Sequence, residues 1–91
     1  MENLKIKIGD DELVFILDKK TFAIYESIAR KRFRGGLTID YLGLMYAALI
    51  SHNPIDITFS KFVDIMSDHE NLFSRMMNHI ISYYKNIASC L

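Results

Sequence analysis

The chain has 91 residues, of which 51% are hydrophobic and 24% charged, and its 11 Lys plus Arg balance its 11 Asp plus Glu. Such a composition excludes a disordered tail, and zero net charge excludes a whole-molecule field for nucleic acid or an acidic membrane. A single cysteine, Cys90, excludes an internal disulfide framework and fits a reducing compartment, while the length is that of one domain, residues 1–91, with a modest core.

The N-terminus alternates Leu4, Ile6 and Ile8 with Asn3, Lys5 and Lys7, the period of a half-buried strand. It holds no continuous apolar run, so no signal peptide is expected. Gly9, Asp10 and Asp11 are turn residues, and residues 12–17 resume the strand pattern, which predicts a β-hairpin pairing 3–8 with 12–17. Two strands are marginal in water and need a helix on one face.

Asp18 is placed to cap the next segment, where Phe22, Tyr25, Ile28, Ala29 and Phe33 recur at helical spacing. The predicted helix, 19–33, stops at Gly35-Gly36, where a left-handed backbone costs little. Its last turn gathers Arg30, Lys31, Arg32 and Arg34 around Phe33. Two readings compete. The run grips phosphate, with an aromatic among its cations, or it is cations collecting at a helix C-terminus under the macrodipole. With no second basic cluster, the second reading is favoured.

Residues 39–51 are apolar in nearly every helical direction, with Asp40 and Ser51 as the polar exceptions. Such a helix has to be enclosed, and it falls well short of the roughly 20 residues that cross a bilayer, so it is expected to be the centre of a core. Thr38 is its expected N-cap, and Leu42, Met45 and Leu49 its most buried positions. Pro54 disfavours helical geometry at Asn53 and ends it. Thr58 caps a short helix, 59–66, whose Phe59, Phe62, Val63, Ile65 and Met66 share one side. Six residues separate Ser51 from Thr58, too many for a helix-turn-helix, and the second helix has no basic face.

Ser67 and Glu70 have the spacing of a capping box for a last helix, 68–88. Its apolar residues from Leu72 to Ala88 spread over an arc of about 180°, where about 100° suffices to seat a helix on a core. If the hairpin and earlier helices seat one half, then Phe73, Met77, Ile81 and Tyr84 are left for a partner: a second copy or an amphipathic helix. Met76 and Met77 on this arc suit an adaptable surface or fill gaps in the core.

Little catalytic chemistry is legible. His52, His69 and His79 are not paired at helical ligand spacing, and Asp68, His69 and Glu70 are consecutive, so they point apart. Gly35-Gly36 lacks the residues of a phosphate loop, and Cys90 has no positioned base. No catalytic residue, metal or cofactor is expected, and the chain is expected not to be an enzyme. The fold class expected is α+β, mainly α: an N-terminal β-hairpin followed by about four helices packed around a buried central helix.

The succession of hairpin, helix, glycine break and Leu-Met-Tyr-Ala-Ala-Leu helix, then an Asn-Pro loop and Thr-Phe-Ser-Lys-Phe-Val-Asp before a long amphipathic helix, carries a resemblance. From residue 4 to about 84 the chain resembles the small tail assembly chaperones of long-tailed phages and prophages of Gram-positive bacteria. The resemblance implies a non-enzymatic cytoplasmic protein of the bacterial host cell that coats the tape-measure protein and recruits tail-tube subunits during tail assembly. Such chaperones often exist in a short and a frameshift-extended form, and the resemblance allows this chain to be the short one. The run 30–34 has no counterpart in the family pattern, which keeps a small nucleic-acid-binding regulator as the alternative.

Overall fold

In a computed structural model of the chain, residues 4–90 are described, with side chains described as far as Ile87. Six elements follow one another: β1 (Leu4–Ile8), β2 (Asp11–Phe15), α1 (Lys19–Ala29), α2 (Thr38–His52), α3 (Phe59–Asp68) and α4 (Glu70–Cys90). The fold is α+β and mainly α, an N-terminal antiparallel hairpin followed by four helices. The expected part of Asn3 in the hairpin, and the side chains of Ala88 and Cys90, lie outside the described residues.

The hairpin closes over two residues, Gly9 and Asp10, with Ile8 opposite Asp11 and Leu4 opposite Phe15. Gly9 has φ +62 while Asp10 keeps a negative φ, the arrangement in which a first-position glycine turns the chain with the twist of the strands. Alternation then sends Ile6, Leu13 and Phe15 inward and Lys5, Lys7 and Glu12 outward. The second strand ends at Phe15, two residues before the expected end at Leu17, and the Ile16 carbonyl accepts from the Thr21 hydroxyl at 2.6 Å. The buried face of the sheet lies against α2 on the β2 side and α4 on the β1 side.

Asp18 caps α1, its carboxylate accepting from the Thr21 N–H at 3.0 Å. The helix ends at Ala29, four residues short of the expected 33. Arg30 takes a left-handed backbone, φ 60, and its N–H still bonds the Glu26 carbonyl. After this exit the Phe33 ring sits among four others from α1, α2 and α4.

Helix α2 is the centre of the core, with Leu44, Met45, Ala47, Ala48 and Leu49 sealed from solvent. Leu42, expected among its deepest residues, is only half-buried, and Ile39 is exposed. The two polar positions are inside instead. Asp40 pairs with Lys31, and Ser51 bonds the Ala48 carbonyl and faces the Thr21 hydroxyl. Thr38 is not the N-cap; it is the first helical residue, Leu37 precedes it in extended geometry, and no side chain caps the end. Thr58 does cap α3, accepting from the Lys61 N–H. This helix continues to Asp68, two residues beyond expectation, so Ser67 is still helical and gives its hydroxyl to the Val63 carbonyl. No capping box forms. His69 alone interrupts the path, and α4 starts at Glu70.

Candidate partner-binding surface

The six large apolar side chains most exposed among the described residues are not scattered. Ile28, Leu37 and Ile39 flank the α1–α2 connection, and Ile81, Tyr84 and Ile87 lie on the second half of α4. Phe33 ties the α1–α2 connection to α4. Its ring meets Phe22 at 6.3 Å, Tyr25 at 5.4 Å, Tyr41 at 5.6 Å and Tyr84 at 6.1 Å, the last nearly parallel. Aromatic pairs in such edge-on and offset geometries add about 0.5–1.5 kcal/mol each beyond area burial. The loop is thereby pinned to α4, although it has no regular structure of its own. Gly35 completes the fit: at φ +75, a side chain there would run into the Tyr41 hydroxyl.

A cleft of about 460 Å³ opens between the loop and α4, walled by Phe33 and Tyr41 and floored by Ile80, Ile81 and Tyr84. Arg34 and Lys85 are its charged lining residues. Burial pushes the Tyr84 hydroxyl above the usual tyrosine range, helped by the neighbouring Tyr83 and Tyr41, so this ring stays neutral.

The four residues expected to face a partner separate here. Ile81 is 46% exposed and Tyr84 40%. Phe73 and Met77 are half-buried and packed on the core. Ile87, 39% exposed, extends the strip at the same three-residue step from Tyr84. Sequence periodicity could not divide the arc, because it depends on how much α4 the loop and hairpin cover.

The basic run also separates. Lys31 is bound to Asp40 at 2.9 Å, and the hydrogen bond and charge of Asp40 raise the Lys31 pKa. Arg30, Arg32 and Arg34 are exposed and meet no carboxylate among the described residues. Since the helix ends before them, a last-turn macrodipole does not account for Lys31, Arg32 and Arg34.

The histidines go to three different places. His52 Nε2 lies 3.0 Å from Asp18, His69 Nδ1 lies 2.8 Å from the Ile65 carbonyl, and His79 is edge-on to Phe15. Among the described residues no three His, Cys, Asp or Glu side chains gather closely enough to hold a metal ion. No helix there is long and apolar enough to cross a membrane.

Asn53 carries a role that spacing did not reveal. Its side-chain amide gives one N–H to the Val14 carbonyl at 2.8 Å and accepts the Val14 N–H at 2.9 Å. It also reaches back to the Leu49 carbonyl at 2.9 Å. The amide thus stands in for a third strand on the outer edge of β2 while closing the end of α2. Pro54, which holds Asn53 extended, was the one available signal.

Compared with family models, curated proteins and solved structures, the chain matches none of them.

Proposed function

We propose that the chain is a non-enzymatic assembly chaperone of the phage-tail kind, which binds tape-measure or tail-tube protein through the second half of α4 and the adjoining loop. One observation carries this: the exposed large apolar side chains gather on that half of α4 and beside the α1–α2 connection, not across the whole surface. Clustered apolar surface on a small chain is costly to leave in water and marks where another molecule sits; Ile81 and Tyr84 line one cleft, while Ile28 and Ile39 line a separate one. The order of elements from residue 4 to about 84 supplies the tail-chaperone half of the reading, together with a cytoplasmic site of action. Ile81, Tyr84 and Ile87 are three residues apart and form a ridge of the kind that enters the groove of a facing helix. Coexpression with a tape-measure protein and a tail-tube subunit is the test. The expected outcome is a complex that survives purification with the wild-type chain and is lost with Ile81→Asp. If neither tail protein is retained by the wild type, the reading is wrong.

A second reading is favoured by three arginines that meet no carboxylate among the described residues: a nucleic-acid-binding regulator using Arg30, Arg32 and Arg34, with Lys31 already held by Asp40. It requires binding to a DNA duplex that weakens steeply as salt rises.

A further inference from the structure

We propose that the cleft between the α1–α2 loop and α4 takes an acidic amphipathic helix, its apolar face on Ile81 and Tyr84 and its carboxylates against Arg34, with the exposed Ile87 and Arg32 continuing the apolar and the cationic side beyond the cleft's own lining. This rests on the reading of the chain as a protein-binding chaperone and adds the chemistry that the bound segment must carry.

Charge complementarity selects the occupant. Among the described residues the charged side chains lining the cleft are Arg34 and Lys85, with no acid beside them, and of the two Arg34 is exposed and meets no described carboxylate. Two groups of acids lie elsewhere, Asp10, Asp11 and Glu12 at the hairpin turn and Asp64, Asp68 and Glu70 near the α3–α4 junction, and Asp40, next to Tyr41 in sequence, is taken up by Lys31. Arg34 follows Phe33, whose ring is fixed by four aromatic neighbours, so its backbone is held at the mouth of the cleft. A cation whose backbone is fixed beforehand loses less entropy on binding than one on a loose loop.

Nucleic acid is also an anion, and the walls decide against it. Phe33 and Tyr84 stack on each other, leaving each ring one face fewer for a base. The other exposed anchors, Ile81 and Ile87, are aliphatic and give no stacking platform of the kind single strands use. Aliphatic ridge and cationic border together fit a helix with leucine-like residues on one side and Glu or Asp beside them.

Two synthetic helical peptides with the same leucine face, one flanked by Glu and the other by Lys, test this by fluorescence anisotropy. The Glu peptide is expected to bind the wild-type chain at least about tenfold more tightly, with a preference that shrinks as salt rises. The double variant Arg32→Glu/Arg34→Glu changes two exposed residues and is expected to reverse the preference. Should that variant unfold, as read by circular dichroism, the wild-type preference and its salt dependence still decide. Equal binding of the two peptides, or tighter binding of the Lys peptide, overturns the proposal. So does displacement of the Glu peptide by oligothymidylate, which would make the occupant a nucleic acid. A dimer in sedimentation that excludes the Glu peptide overturns it in favour of a second copy. Retention of a tail protein without any Glu preference would leave the chaperone reading standing and remove this one. A Glu preference without retention of any tail protein would do the reverse.

Discussion

Asp18 shows how much one side chain can organise. Its carboxylate accepts from the Thr21 N–H and hydroxyl and lies 3.0 Å from His52 Nε2, so it ties the start of α1 to the end of α2. Burial pushes its pKa upward, but the Thr21 N–H bond, the bond and charge of His52, and the Thr21 hydroxyl outweigh that, and the net shift is downward from 3.8. A carboxylate with a depressed folded pKa adds stability above its unfolded pKa, and that stability is lost as pH falls through the folded value. Urea midpoints of the wild type should therefore fall below about pH 4, and Asp18→Asn should flatten part of that fall. A deeper residue gives a larger number. Leu49 is 1% exposed at the centre of α2, so Leu49→Ala should cost about 2–5 kcal/mol in urea unfolding. A loss below about half a kcal/mol would mean the site collapses around the gap, outside the usual range for such a truncation. At Asn53 the change to Ala strips Val14 of both edge partners, and a loss of about 1–3 kcal/mol is expected.

Elements were legible where a local rule and a tertiary need agreed. The hairpin, the Asp18 and Thr58 caps and the extended geometry before Pro54 all follow from residues within a few positions of each other. Where the two conflicted, the tertiary need won. Phe33 keeps helical spacing with Tyr25 and Ala29, yet the chain leaves the helix at Arg30 and the ring reaches α4. Asp40 and Ser51 are the polar exceptions on an enclosed helix, and each finds a partner inside, Lys31 for one and the Ala48 carbonyl for the other. A partner 9 residues away across an irregular loop, as Lys31 is for Asp40, cannot be read from periodicity. The site followed the same division: the apolar arc of α4 was visible, but the loop that covers part of it was expected to be helix. The cost of the left-handed backbone at Arg30 is testable. A non-glycine residue in that conformation is strained by about 1–2 kcal/mol, so Arg30→Gly should be neutral or stabilising by up to about 1 kcal/mol. The same change at Glu26, inside α1, should destabilise by about 1 kcal/mol. If both lose equally, Arg30 is not strained in solution.

Across the whole molecule the core and the exposed apolar surface run along the same helix. The first half of α4 gives Leu72, Met76 and Ile80 to the core, and the second half leaves Ile81, Tyr84 and Ile87 outside. Two aspartate substitutions one turn apart should therefore act differently. Met77 is half-buried against the core, so Met77→Asp places a carboxylate where desolvation is only partly relieved, and the chain should lose about 1–3 kcal/mol. Ile81 stands 46% in solvent, and Ile81→Asp should change the urea midpoint by no more than about half a kcal/mol. In binding the order should invert. Ile81→Asp sets a charge in the middle of the proposed ridge and should remove partner retention, whereas Met77→Asp, examined under conditions where it is folded, should keep part of it. The informative measurement is the pair of variants together, each by urea unfolding and by copurification with a tail protein. Loss of stability at both positions would make the arc core throughout. Retention of the partner by folded Ile81→Asp would move the contact surface away from α4 and toward Ile28 and Ile39.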